Sequence, residues 1–302
     1  MHNASVYTIC ETAIDPGLSF IGLGLAASFF WGASDFLGGL ATRKAHVFLV
    51  VAVAHSLSLG MLLLMAWATH SPAPPERYAL WGLCAGGFGG AALILYYQAL
   101  SLGDMGLTTA VTGLLTAVVP VVYAFATQGS PKYSQVAGFV LAAGAIGLIA
   151  YVPAGKPRPL GLSLAILAGL GFGIFLVVLK VGSSRGLIWQ LIYSRIASAA
   201  LACGVSLWML VRPGREAAIW RKEAGGNRFL WIAGSAGAIE AIGSLLYMRA
   251  AREGRLDVAA VLASLYPVVT ILLAAWFLKE RTTSSQAFGM GLALAAVVLV
   301  SL

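Results

Sequence analysis

Runs of about twenty apolar residues recur ten times along this 302-residue chain, each long enough to carry an α-helix across ~30 Å of hydrocarbon. A soluble domain interrupts its apolar stretches with charge, because its surface must face water. Here only 10% of residues are Asp, Glu, Lys or Arg, against about 25% in soluble domains. The period-two alternation of a membrane β-barrel strand is missing as well. The pattern predicts an all-α membrane protein of ten transmembrane helices, at 18–41, 47–68, 79–100, 107–127, 136–152, 160–179, 187–210, 229–248, 258–278 and 287–302. Residues 1–17 read as a short polar tail. They carry Glu11 and Asp15 and no Lys or Arg, so they lack the basic start and apolar centre of a signal peptide.

The net charge of +8 does not point to nucleic acid, because the Lys and Arg residues are scattered through short loops instead of covering one polar face. Cys10, Cys84 and Cys203 are too few and too dispersed for a disulfide framework or a metal site, and the two inside spans read as packing residues. Trp67, Trp81, Trp189, Trp208, Trp231 and Trp276 fall near span ends, where an indole keeps its ring in acyl chains and its N–H among headgroups. Trp31 lies well inside its span. Gly82, Gly86 and Gly90 recur every four residues on one face of the third span, and Gly169 and Gly173 do so in the sixth. Such faces let two backbones approach closely.

The chain repeats itself. At a constant offset of 151, Tyr96 falls on Tyr247, Ala99 on Ala250, Gly103 on Gly254, Gln135 on Gln286 and Gly138 on Gly289. Earlier in each half the offset is nearer 141, which places Trp31-Gly32 on Phe172-Gly173. The halves are residues 18–152 and 160–302, five spans each. An odd number of spans makes the second half enter the membrane from the opposite side, so the architecture expected is two inverted five-helix repeats, a plan that secondary transporters use for alternating access around a midplane site.

Ionisable side chains inside spans cost roughly 2.5–3.5 kcal/mol each on insertion scales, so each needs a partner, a cavity or a function. Four stand out: Glu240 in the eighth span, Arg195 in the seventh, His55 in the second and Asp35 in the first. Ser244 and Tyr247 follow Glu240 on one helical face, and Ser28, Trp31 and Asp35 form a comparable stripe. Both stripes are expected to face a central cavity, with Glu240, Arg195, Trp31, Tyr96, Tyr247 and Ser244 as candidate substrate contacts and Glu240, Asp35 and His55 as candidate proton-coupling groups. Plainer readings stand beside these. Glu240 and Arg195 also suit a buried ion pair between helices. Asp35 could snorkel or pair with Arg43 or Lys44, and His55 could be a hydrogen-bonded packing residue. Tyr96, Tyr97, Tyr247 and Tyr266 suit aromatic packing as well as a cavity wall. Arg249, Arg252, Glu253, Arg255 and Asp257 read as a solvated loop.

The residues assembled so far resemble the drug/metabolite transporter superfamily, in particular its EamA-type ten-helix branch. In that family each half opens with a Trp-Gly helix, here Phe29-Phe30-Trp31-Gly32-Ala33-Ser34. The fourth helix of a half carries a Pro and a Leu-Gly-Glu-Arg-like exit, matched by Tyr266-Pro267-Val268-Val269 and Leu278-Lys279-Glu280-Arg281-Thr282, and a glycine-rich helix with Gln286 and Gly289 follows. The first half departs from the pattern: Pro120 lies one turn late, Gly129-Ser130-Pro131-Lys132 replaces the exit, and His55 stands where the second half has Arg195. The resemblance implies an inner-membrane carrier, often an exporter of amino acids or related metabolites, with cytoplasmic termini. Loop charge leans the other way, through Arg212, Arg215, Arg221, Lys222 and Arg228 in one loop.

The expected function is therefore secondary transport of small metabolites, with coupling to protons as an open option and the lipid bilayer and a small solute as partners. No nucleic acid, cofactor or metal is expected, and a monomer suffices. The alternatives are a multidrug or hydrophobic-cation efflux carrier and a non-transporting receptor or scaffold. An enzyme is disfavoured. Gly32-Ala33-Ser34-Asp35 fits the Gly-x-Ser-x form of intramembrane serine proteases, but His2, His46, His55 and His70 all precede the third span, and no His-Glu-x-x-His motif occurs.

Overall fold

The computed structural model describes residues 16–102, 105–150, 159–183, 186–211, 227–279 and 283–302. These form α1 (Pro16–Thr42), α2 (Val47–Ala68), α3 (Ala79–Leu102), α4 (Met105–Gln128), α5 (Tyr133–Ala150), α6 (Pro159–Gly182), α7 (Leu187–Val211), α8 (Asn227–Glu253), α9 (Leu256–Ala263), α10 (Tyr266–Phe277) and α11 (Ser284–Ser301). Among the described residues, eight segments are long and apolar enough to cross a membrane, with α9 and α10 counted together, and α5 and α11 are shorter apolar helices. The chain is an all-helical, multi-pass membrane protein in two repeats, and with α9 and α10 taken as one the described residues form ten long helices. Its outer surface is apolar, with Leu64, Val122, Phe125, Val140, Leu207 and Leu294 among its exposed side chains, as expected where the surrounding medium is hydrocarbon.

The packing is doubled in the way the repeat requires. α1 packs on α8, and its counterpart α6 packs on α3; α2 packs on α8, and α7 packs on α3. α4 lies against α6 as α9 and α10 lie against α1, while α2 meets α7 and α5 meets α11 between the halves. This exchange of partners defines a pseudo-two-fold relation between the halves. Glycine makes its tightest contacts. A Cβ on Gly86 would collide with the Ser194 carbonyl of α7, and a Cβ on Gly237, at the equivalent place in α8, would collide with the Ala54 carbonyl of α2. The close approach anticipated for the third span therefore has a twin that the glycine spacing alone did not reveal.

The repeated glutamines are helix starters. Gln286 Oε1 accepts from Thr283 N at 2.9 Å while Thr283 Oγ1 accepts from Gln286 N at 3.2 Å, a reciprocal cap that satisfies two orphan donors. In the first half Gln135 Oε1 accepts from Lys132 N at 3.0 Å. Lysine has no hydroxyl to return the bond, so only half of the device survives there.

Four expectations need correction. The ninth span, expected to run unbroken over 258–278, breaks at Ser264–Leu265 into α9 and α10, because Pro267 has no N–H to donate to the preceding turn and its ring crowds the carbonyl there. Pro120, by contrast, sits inside an unbroken α4. Trp189 is not an outward anchor like the exposed Trp67, Trp231 and Trp276; its Nε1 donates to the Ser71 carbonyl at 3.0 Å, which tucks the ring against the connection after α2. Cys84 and Cys203 are exposed on the bundle's surface and are not packing residues. Arg255 and Asp257 are no plain solvated loop either. Asp257 is buried and pairs with Arg255 at 2.8 Å, and Arg255 also donates to the carbonyls of Gln128 and Gly129. Leu256 N donates to Gln128 Oε1 at 3.1 Å. The start of α9 is thus tied to the end of α4, the element related to it by the repeat. Residues 1–15, Arg212, Arg215, Arg221, Lys222, Glu280 and Arg281 lie outside the described residues, and nothing is described of the Arg228 side chain.

Candidate functional site

A cavity enclosing about 550 Å³ of space, its mouth included, opens between α1, α2, α3, α4, α6, α7, α8 and α10. Trp31, Asp35, His55, Arg195, Glu240 and Tyr266 line it together with Gly89, Leu93, Thr116, Phe172, Phe175 and Leu176. Most of these residues come in pairs related by the repeat. Trp31 matches Phe172, Asp35 matches Leu176, His55 matches Arg195, and Gly89 matches Glu240. Thr116 and Tyr266 match too, since Gly173 abuts the Thr116 carbonyl where Gly32 abuts that of Tyr266. The cavity therefore lies on the pseudo-two-fold relation, reached equivalently from both halves. That is where an inverted-repeat carrier places its solute.

Arg195 and Glu240 meet. Arg195 Nη2 donates to Glu240 Oε1 at 2.6 Å and lies 2.5 Å from Oε2. The same nitrogen donates to Ser244 Oγ at 3.3 Å, and Ser244 Oγ donates to Glu240 Oε1 at 2.6 Å. Nε of Arg195 donates to Ser58 Oγ of α2 at 3.2 Å. The guanidinium is thus shared among α2, α7 and α8, and its planar fork is not turned squarely onto one carboxylate. Glu240 is slightly open to the cavity, with 18% of its side chain exposed against 3% for Arg195.

Asp35 also lines the cavity, so it neither snorkels to the headgroups nor pairs with Arg43 or Lys44, which lie exposed beyond it. Its hydrogen-bond donor is the Tyr96 hydroxyl, at 3.1 Å from Oδ2, and that hydroxyl also lies 3.0 Å from Thr109 Oγ1. His55 is buried, and its Nδ1 has no hydrogen-bond partner among the described residues. Tyr247 and Trp31 pack ring against ring at 5.4 Å, and neither the Tyr247 hydroxyl nor the Trp31 Nε1 has a hydrogen-bond partner among the described residues. Of the residues singled out in the sequence, Trp31, Asp35, His55, Arg195 and Glu240 reach the cavity directly. Tyr96 and Ser244 stand behind Asp35 and Glu240, and Tyr247 stands behind Trp31. Ser34, the conceivable protease nucleophile, is buried, and its Oγ donates to the Ala236 carbonyl at 2.9 Å.

Sequence reasoning did not single out Leu176, Gly89, Phe175, Leu93 or Thr116. Leu176 and Gly89 carry no chemistry of their own, yet applying the offsets of 141 and 151 to Asp35 and Glu240 lands on them.

The sequence model described as "EamA: EamA-like transporter family" matches residues 18–151 and 159–302. No curated protein matches the chain. Among solved structures, one described only as "Crystal structure of protein" shares the fold, with a TM-score of 0.70 and 18% sequence identity over 93% of this chain and 96% of that chain.

Proposed function

The chain belongs to the EamA-like transporter family, whose members move small solutes across membranes, and from that premise we propose that it carries amphipathic solutes bearing an amino group, by alternating access around the central cavity. Amino acids are the first class to test. The observation that supports this reading is the lining of the cavity: two carboxylates, Asp35 and Glu240, share it with the aromatic rings of Trp31, Phe172, Phe175 and Tyr266. Carboxylates suit an ammonium group and aromatic faces suit both a cation and an apolar body. In this proposal Trp31, Asp35, Arg195 and Glu240 touch the solute. Tyr96 and Ser244 hold the two carboxylates in place, and Tyr247 supports the indole.

Export from the cytoplasm across the inner membrane, with both termini cytoplasmic, follows from the family resemblance and belongs to the same proposal. A hydrophobic-cation carrier is the second reading, favoured by the one observation that Arg195 is already engaged by Glu240 and not held free for a solute carboxylate. Purified protein in proteoliposomes, given labelled amino acids, nucleosides and hydrophobic cations, tests both. Saturable amino-acid flux is the expected result; flux of cations alone would replace the first reading with the second, and flux of nucleosides alone would overturn both.

A further inference from the structure

We propose that His55 is a specificity-determining residue of the cavity, donating a hydrogen bond to the carboxylate of a zwitterionic solute; the assignment rests on the transporter reading above and names what meets the solute's second end. His55 is only 2% exposed, yet it lines the cavity. Its Nδ1 has no hydrogen-bond partner among the described residues. An imidazole carries at least one N–H in every protonation state, and a polar group left unmet inside a bundle is costly. The ring therefore holds a hydrogen bond in reserve for what enters the cavity.

The repeat shows which partner has been left out. His55 stands where the second half has Arg195, and Arg195 donates to Glu240 and Ser244 of α8. The offset of 151 places Gly89 and Leu93 of α3 at those two positions. Both line the cavity, and neither side chain can accept a hydrogen bond. Phe175, packed beside Gly89, adds an aromatic face and no acceptor. The first half thus keeps a nitrogen base at the shared position while the carboxylate that would meet it is gone. A solute carboxylate supplies there what Glu240 supplies on the other wall.

Charge favours an anionic end over a neutral one. Arg195 commits Nη2 to Glu240 and Ser244 and Nε to Ser58, but its positive charge still acts on the His55 ring. An anion beside His55 is drawn by both groups, an attraction that a neutral amide or ester does not match. Asp35 and Glu240 repel an anion and attract an ammonium, so the two ends of a zwitterion are sorted to different parts of the lining.

The test uses the full-length protein in detergent with phenylalanine and phenethylamine, which differ by the carboxylate alone. The wild type is expected to bind phenylalanine about tenfold more tightly or better, the scale of one hydrogen bond to a charged group. His55→Leu should bring the two affinities within about twofold by weakening phenylalanine and leaving phenethylamine unchanged. His55→Gln, which keeps an N–H of similar reach, should retain most of the preference. An NMR measurement on wild-type protein carrying isotope-labelled histidine stands even where His55→Leu fails to fold. Phenylalanine should shift the ring signal that is missing from His55→Gln, and phenethylamine should not; no shift with phenylalanine would overturn the assignment. Equal weakening of both ligands in His55→Leu would overturn it too and make His55 a packing residue. A phenylalanine preference unchanged in that variant would leave the carboxylate to Arg195 instead. Tighter binding of phenethylamine by the wild type would reject the assignment and keep a hydrophobic-cation carrier. Binding of neither ligand would defeat the cargo class, and this assignment with it.

Discussion

Two walls of the cavity are built from equivalent helices and have opposite character. α1 packed on α8 contributes Trp31, Asp35 and Glu240; α6 packed on α3 contributes Phe172, Leu176 and Gly89 at the corresponding places. The backbone frame is the same in both, down to the glycine of the third helix of each half that receives a neighbour's carbonyl. On the second wall the Phe175 ring fills the space beside Gly89, where a Cβ would come within 2.8 Å of it. On the first wall a carboxylate stands at that place and is held by Arg195. The comparison separates what the fold needs from what the cavity uses: small residues recur where the helices cross, and ionisable ones occur on one wall only.

The largest expected effect breaks the charged wall. Glu240→Gln removes the counter-charge of a buried guanidinium and should destabilise the protein by roughly 3–5 kcal/mol, as stranding one member of a buried pair does. Arg195→Gln made together with Glu240→Gln should recover most of that loss, since no charge is left alone. Thermal unfolding in detergent, read on both single variants and the double, checks this. A double variant as unstable as the sum of the singles would show that Ser58 and Ser244 depend on the pair more than it depends on itself.

How much of this was legible beforehand follows the same division. Ten apolar helices and the repeat could be read because hydrocarbon thickness sets helix length and duplication leaves identical residues such as Tyr96 and Tyr247 in register. The ionisable wall was legible because charge inside a span is rare enough to stand out. Leu176 and Gly89 were not, since an aliphatic residue and a glycine look alike whether they face lipid, a neighbour or a cavity. The break at Ser264–Leu265 was hidden by continuous apolarity, although Pro267 was in plain view, because Pro120 shows that a proline in a span need not break it. Asp257 was misread because the bonds around it, from Arg255 to the carbonyls of Gln128 and Gly129 and from Leu256 N to Gln128 Oε1, join residues more than a hundred positions apart.

A second prediction asks whether the shared frame is as symmetric as it looks. Gly86→Leu and Gly237→Leu each drive a side chain into a backbone carbonyl, and each should cost about 1–3 kcal/mol or more from overpacking. Similar falls in melting temperature for the two are expected. A tolerated Gly237→Leu beside a damaging Gly86→Leu would show that the helix crossings, and not only the cavity walls, have diverged.

Smaller again is the effect expected at the tie between the halves. Asp257→Asn keeps the shape of a buried side chain but weakens its bond to Arg255, which is partly exposed and can be solvated instead. The pair raises the affinity of Arg255 for its proton, through its hydrogen bond to Asp257, so its charge is not at risk. A stability loss of roughly 1–2 kcal/mol is expected, along with faster labelling of a cysteine placed at Ser130. Unchanged labelling would mean that this end of the bundle is held shut by packing alone.

The smallest effect should come from making the two walls alike at one position. Trp31→Phe gives α1 the side-chain type that α6 already carries at Phe172. The Trp31 Nε1 has no hydrogen-bond partner among the described residues, so the substitution strands no acceptor there. What it removes is part of an indole packed on Tyr247 and against Gly243, where a Cβ would lie 2.6 Å from Trp31 Cδ1. Losing that contact while keeping an aromatic ring should cost about 1 kcal/mol or less, close to the range of conservative core exchanges. Solute affinity should change more than stability, because the same ring faces the cavity and a smaller π-face holds a cation less well. Melting temperature and amine binding measured on one preparation check the two parts separately. A stability loss well above 2 kcal/mol would indicate that the indole N–H is engaged by water, and that the first wall is held by polar contacts along its whole length and not at its carboxylates alone.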